Sequence, residues 1–333
     1  MRKKIFITGG AGYVGSRVVP YLIENGYDIT VYDIMYFTDK FLPSANKNLN
    51  IINGDIRDTK KLKQSCENHD YFLHLACISN DASFVLDENL SKTVNFDCFE
   101  PMVIAAKENK IKRFIYASSS SVYGVSSEKN VTEDHPLVPL TAYNKLKGMC
   151  EPILTKHASD NFEVTTFRPA TVCGFAPRLR LDLTVNILTN HAYFNNKILV
   201  FGGSQLRPNL HILDYCKVTK LLIESSKDKI QKKIFNVGYQ NKSVIEIANI
   251  VKKTVENYFQ NKKEIELEIQ PSNDNRSYHI NSEKIKNELG FTPEHTIEEA
   301  ILELCNFFKK NQKLETFNDN IYYNVIRLKD LNY

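Results

Sequence analysis

The stretch ITGGAGYVGS, residues 7–16, decides the reading of this 333-residue chain. It follows the apolar run KKIFIT and precedes a predicted helix over about 13–25, so it is a loop between a buried strand and a helix. Two glycine spacings overlap in it: Gly10, Gly12 and Gly15 as GxGxxG, and Gly9, Gly12 and Gly15 as GxxGxxG. Either spacing alone is a weak signal. The context strengthens both, because a second strand, YDITVYD, ends on Asp33 eighteen residues after Gly15. Glycines let a backbone approach a pyrophosphate at the positive end of a helix, and an acid at Asp33 accepts from the adenosine ribose and repels a 2′-phosphate. Gly9, Gly12, Tyr13, Val14, Gly15 and Asp33 are therefore expected to bind NAD in preference to NADP. Arg17, one turn into the helix, is placed to reach a 2′-phosphate, but an exposed helix arginine is the preferred reading.

Working outward, short β-rich runs alternate with helical stretches. LNIING, a helix near 58–67, YFLHLA, a long helix through about 89–109, KRFIYA, a helix from Tyr143 towards His157, and FEVTTFRP follow in order. Alternation of this kind predicts an α/β fold of the Rossmann type, a doubly wound parallel sheet of at least six strands. After Pro169 the rhythm changes to loops carrying Arg178, Arg180 and FGGSQLRPN. The expected division is a dinucleotide-binding domain over 1–170 plus about 212–240, and a smaller, mixed C-terminal substrate lobe over about 171–211 and 241–333. The tail FNDNIYYNVIRLKDLNY is too aromatic for a free linker and is expected to pack on the body or on a partner.

Composition narrows the function classes. The 43 basic and 39 acidic residues are spread along the chain without a block of like charge, which argues against a nucleic-acid arm. Seven cysteines without a CxxC pair argue against a disulfide framework or a zinc knuckle and for a reducing, cytoplasmic setting. The eight histidines show no HxxxH or HExxH spacing, so no metal site is expected, and no segment approaches a membrane span.

Two further stretches carry chemistry. In AYNKLKG, Tyr143 and Lys147 stand at i and i+4 and share one helix face. That helix follows the strand RFIYA and the run ASSSSVYG, residues 117–124, at the carboxyl side of the sheet, where ligands of open α/β folds bind. A tyrosine, with an ordinary pKa of about 10, becomes a usable base when positive charge favours its phenolate. Four hydroxyls after a core strand read either as a polar capping turn or as a hydroxyl aimed at a ligand.

Taken in order, TGGAGYVG, GDIRD, VN at 94–95, SSSSVYG, YNKLK and FRPATVCG resemble the extended short-chain dehydrogenase/reductase family, and within it the NAD-dependent nucleotide-sugar epimerases and dehydratases. The resemblance spans nearly the whole chain. It implies that Tyr143 is the catalytic base, that Lys147 binds the nicotinamide ribose and lowers the tyrosine pKa, and that Ser119 hydrogen-bonds the reacting sugar oxygen. It further places Asp55 and Ile56 at the adenine, Ala76 along the cofactor and Asn95 in the helix near the active site. Ser118 reads as structural. Ser120 and Ser121 stand where 4,6-dehydratases carry an Asp and a Glu that shuttle protons, which counts against dehydration.

On the substrate side, a nucleoside diphosphate sugar needs cationic partners for its phosphates. Arg207 and Arg276 match the positions at which the family holds the diphosphate, and Arg178 and Arg180 are further candidates. Asn80 reads either as a contact to sugar hydroxyls or as a helix cap. PRLRLDLTVNILTN resembles a branch acting on GDP-linked or unusual sugars, heptoses included. The resemblance thus implies a cytoplasmic homodimer that epimerises a nucleotide sugar through oxidation at C-4. A one-way 4-dehydrogenase/reductase uses the same residues, and a catalytically silent NAD-binding sensor is disfavoured by the intact Ser119, Tyr143 and Lys147.

Overall fold

The computed structural model describes residues 2–44, 46–126, 128, 130–272 and 277–332. Twelve strands run β1 Lys4–Thr8, β2 Asp28–Asp33, β3 Leu49–Asn53, β4 Tyr71–His74, β5 Arg113–Ala117, β6 Glu163–Pro169, β7 Thr171–Cys173, β8 Lys197–Phe201, β9 Leu206–His211, β10 Lys233–Val237, β11 Gln240–Ser243 and β12 Glu266–Gln270. Seven of them form one parallel sheet in the order β10-β6-β5-β4-β1-β2-β3. The strand order reverses between β1 and β4, which opens a crevice at their carboxyl ends.

The sheet is parallel because its strands can bury both faces. KIFIT, YFLH and RFIYA are almost wholly buried, and β-branched and aromatic residues suit such a surface. One face packs Ile5, Ile7, Val18, Val19 and Leu22 with Cys216, Val218 and Leu222; the other packs Phe6, Phe72 and Phe114 with Met102, Val103 and Leu154. A second core gathers Leu179, Leu181, Val185, Ile198, Val251, Ile301 and Phe308 around the helices Thr184–Asn195, Val244–Tyr258 and Ile297–Lys310. Its strands form a mixed sheet, β11-β9-β7, and a parallel pair, β12-β8.

The chain departs from its sequence reading in two places. The long helix expected over 89–109 is broken: Glu88–Lys92 is α-helical, Thr93–Asp97 is a π-helical turn, and the α-helix resumes at Phe99–Glu108. Apolar periodicity does not register a single widened turn. The segment 277–291, grouped with the second lobe by the sequence, sends Tyr278, Ile280, Ile285 and Phe291 into the first core, and Ser277 and Ile280 form bridges to Val125 and Val131. The aromatic tail packs on the body. Its helix Asn324–Asp330 buries Asn324 and Leu328, and Leu181 N–H donates to Tyr322 O at 2.9 Å. No described helix is long and apolar enough to cross a membrane.

Candidate active site

A cleft of about 420 Å³ lies over the crevice between β1 and β4 and extends to the second lobe. Its walls bring together Gly9, Gly12, Tyr13, Val14, Gly15, Asp33, Asp55, Ile56, Ala76, Asn80, Ser119, Tyr143, Lys147, Arg178, Arg180 and Arg207. Asn95 stands behind the wall, and Arg276 lies outside the described residues.

The cofactor end is built for close backbone approach. Gly9 has φ +77°, and a Cβ there would sit 2.5 Å from Ala76 N. The helix Gly15–Glu24 starts without a side-chain cap, whereas Thr141, Ser243 and Thr296 cap the helices they precede. Its uncapped N-terminus faces the cleft, which is the arrangement a pyrophosphate needs. Asp33 is oriented by Ala11 N–H (3.0 Å) and Met35 N–H (2.8 Å), and burial raises its pKa against those two donors. These residues fit a dinucleotide. Asp55 is already engaged, its carboxylate paired with Arg57 at 2.5 Å; burial pushes its pKa up, but Arg57 outweighs this and holds it below the usual range. Tyr13 reaches across to the second lobe, where its hydroxyl donates to Gly174 O at 2.7 Å. Asn95 acts at one remove, because its amide spans Ile78 N–H (2.8 Å) and Ile78 O (3.0 Å) and fixes the loop after β4.

The reacting end centres on Tyr143, in the first turn of the helix Ala142–His157. Thr141 caps that helix and donates to Asp81 at 2.5 Å, which ties its start to the loop after β4. Lys147 lies one turn on and is buried; its Nζ donates to Ala117 O at 2.7 Å. Burial raises the Tyr143 pKa well above the ordinary value, the neighbouring Cys77 thiol raises it further, and Arg180 pulls it down. The phenol is thus neutral until more positive charge arrives.

The serine run divides its labour. Ser118 donates to Glu151 Oε1 at 2.6 Å, and Glu151 is held by Arg168 in a buried ion pair of 2.6 Å. Ser119 caps the 3₁₀ turn Ser120–Tyr123 and lies 2.7 Å from Ser121 Oγ, which donates to Asn144 Oδ1 at 2.6 Å. Ser120 lies 3.4 Å from the Tyr278 hydroxyl. Where a dehydratase carries two carboxylates, this turn presents hydroxyls.

The two arginines of the loop 174–183 have other partners than a free diphosphate contact requires. Arg180 pairs with Asp182 (2.5 Å) and donates to Ser79 Oγ (3.0 Å) beside Tyr143, while Arg178 is buried against Phe37 and the C-terminal segment. Asn80 is a helix cap with φ +76°, its oxygen accepting from Ser83 N–H at 2.7 Å. Sequence reasoning missed Cys77, Asn144, Asp182, Tyr278 and Asn324. Of these, only Asn144 carried a local signal, since it lies beside Tyr143 in YNKLK.

Residues 5–238 match the NAD dependent epimerase/dehydratase family. The chain belongs to this family. Its relatives include the UDP-glucose 4-epimerase of Corynebacterium glutamicum, 28% identical over 323 residues and covering 90% of this chain and 94% of that protein. Among solved structures, the UDP-glucose 4-epimerase of Thermotoga maritima with UDP-glucose superposes with TM-score 0.82 at 24% identity, over 93% of this chain and 99% of that one. The dTDP-glucose 4,6-dehydratase of Bacillus anthracis in complex with NAD gives TM-score 0.81 at 20% identity, over 93% and 98%. Family membership makes the chain an NAD-dependent enzyme of the extended short-chain dehydrogenase/reductase type acting on nucleotide sugars. Epimerases and dehydratases both stand among its relatives, so the family does not choose between them.

Proposed function

We propose that the protein is a nucleotide-sugar epimerase that works through transient oxidation at C-4 of the sugar. The turn after β5 carries this reading: Ser120 and Ser121 bring hydroxyls bonded to Tyr278 and Asn144, not the carboxylates that eliminating water requires. Bound NAD supplies a hydride acceptor that also returns the hydride. Tyr143 takes the C-4 hydroxyl proton and gives it back, and Ser119 hydrogen-bonds the oxygen as its charge changes. Lys147 binds the nicotinamide ribose, while burial keeps Tyr143 protonated and Arg180 is the charge that opposes it. Arg207, in β9, and Arg276 hold the substrate diphosphate. With this reading go a homodimer and a reducing, cytoplasmic setting in which all seven thiols stay free.

The test is to denature the purified protein, identify the released nucleotide, and incubate the intact protein with UDP-, dTDP-, GDP- and CDP-linked hexoses and heptoses. A C-4 epimer formed with no net change in NAD is the expected result. A 4-keto-6-deoxy product would reinstate dehydration, and NADH accumulating with product would make the enzyme a one-way dehydrogenase.

A further inference from the structure

Arg178 stands in the loop that leads from β7 into the second lobe. Its backbone N–H donates to Ser16 Oγ at 3.1 Å, which seats the loop on the first turn of the helix Gly15–Glu24. The side chain is 1% exposed and forms part of the cleft wall. Its guanidinium carbon lies 3.7 Å from the centroid of the Phe37 ring, just beyond β2. Nη2 donates to Ile321 O at 3.1 Å and to Asn324 Oδ1 at 2.7 Å, both in the C-terminal segment.

What Arg178 lacks is a direct ion pair. Its buried Nε has no hydrogen-bond partner, and among the described residues no carboxylate pairs with it. Asp182 is taken by Arg180 at 2.5 Å and by Asn324 N–H at 3.1 Å. Burying a cation without a direct ion pair is expensive: burial and the neighbouring Arg180 outweigh the more distant carboxylates of Asp182 and Asp33 and bring its pKa down to about 9, where it remains charged at neutral pH. A rigidly held guanidinium with an unpartnered Nε in a cleft wall is a group prepared for an anionic ligand.

Two anions enter this cleft, the pyrophosphate of the cofactor and the diphosphate of the sugar nucleotide. The neighbours of Arg178 decide between them. Ser16 belongs to the helix whose uncapped start faces the cleft, and Phe37 follows the strand that ends on Asp33; both belong to the dinucleotide end. We propose that Arg178 binds the pyrophosphate of NAD, and that Asn324 of the C-terminal segment positions it there. The tail is therefore a wall of the cofactor site, and Arg178 moves from the substrate side of the ledger to the cofactor side.

The experiment uses full-length protein stripped of resident nucleotide and titrated calorimetrically with NAD, ADP-ribose and adenosine, and with UDP, GDP, CDP and dTDP, at low and high salt. Arg178→Gln should weaken NAD and ADP-ribose by about 10- to 100-fold, the scale of a charge-assisted hydrogen bond. Adenosine and the nucleoside diphosphates should bind within twofold of the unmodified protein, and the salt dependence of NAD binding should flatten. Arg178→Lys should recover part of the loss, and Asn324→Ala should show the same pattern more weakly. An equal loss for adenosine and ADP-ribose would reduce Arg178 to a packing residue. Unchanged NAD affinity with weakened nucleoside diphosphate binding would return it to the substrate. If Arg178→Gln does not fold, Asn324→Ala and Arg178→Lys carry the same two comparisons.

Discussion

Changing the serines after β5 one at a time should separate stability from turnover, because adjacent hydroxyls have different partners. Ser118→Ala removes a 2.6 Å bond to a buried carboxylate, and hydrogen bonds to charged groups contribute about 1.5–3 kcal/mol. Glu151 keeps both bonds from Arg168, at 3.0 and 2.6 Å, so the carboxylate is not left unpaired and the cost belongs at the low end, about 1.5 kcal/mol. Ser119→Ala removes a partly buried hydroxyl that caps a short 3₁₀ turn and contacts the Ser121 hydroxyl, a loss of about 1 kcal/mol because Ser121 keeps its bond to Asn144. Its effect on the reaction should be far larger, about 10²-fold or more in turnover, as for a positioned proton-transfer partner. Ser121→Ala should fall between, since Ser121 bridges Ser119 to Asn144 and its removal frees Ser119 to turn. The assay pairs urea unfolding with single-turnover reduction of bound NAD, using the sugar nucleotide that reacts in the panel above. The reasoning fails if Ser118→Ala slows reduction as much as Ser119→Ala while both fold. It also fails if Ser120→Ala, whose hydroxyl sits 3.4 Å from Tyr278, matches Ser119→Ala, because the reacting hydroxyl would then be one residue further along.

Arg180→Gln should shift the pH profile of bound-NAD reduction to higher pH: burial and Cys77 raise the Tyr143 pKa, Arg180 opposes them, and its removal leaves the phenol harder to ionise. A profile that keeps its midpoint while affinity for the sugar nucleotide falls would make Arg180 a substrate ligand only. Stability should decline as pH falls below about 6.5, because burial holds the pKa of His74 well below and that of His69 below the ordinary histidine value. The unfolded chain then takes up protons that the folded chain refuses, and His74→Gln should flatten the slope in urea unfolding between pH 7 and pH 5; an unchanged slope would place the acid sensitivity elsewhere.

The parts legible in the sequence were those whose physics is local. The glycine loop, its acid at Asp33 and the Tyr143–Lys147 pair each follow from spacing on one strand, loop or helix, and all of them lie on the cleft wall. What was not legible joins residues far apart in the chain. The parallel pairing of β8 with β12 and of β7 with β9 is not marked in the sequence, since the partners lie 38 to 69 residues apart and β7 is only three residues long. Asn324 meets Ser79 at 2.9 Å across 245 residues, and no propensity announces such a contact. The π turn at Thr93–Asp97 is hidden for a different reason: its residues read as ordinary helix, and its benefit is non-local, because Asn95 within that turn reaches both backbone groups of Ile78.

The long-range ties differ in kind between the two ends of the cleft. Tyr13 lends its backbone to the glycine loop while its hydroxyl is fixed on Gly174 O, Ser16 is bonded to the Arg178 N–H, and Arg327 donates to Tyr36 O at 2.7 Å beside the end of β2. The dinucleotide end is thus fastened to the second lobe and to the tail at three points, each pairing a side chain with a main-chain group. The sugar end is tied as well, by Thr141 to Asp81, Arg180 to Ser79 and Asn324 to Ser79, but each of these joins one side chain to another. A ligand held at the dinucleotide end leaves when several elements separate together, whereas one at the other end leaves by exchanging side-chain contacts with water. An enzyme that oxidises and then reduces the same sugar needs that asymmetry, since losing the reduced cofactor in mid-cycle would strand the keto sugar.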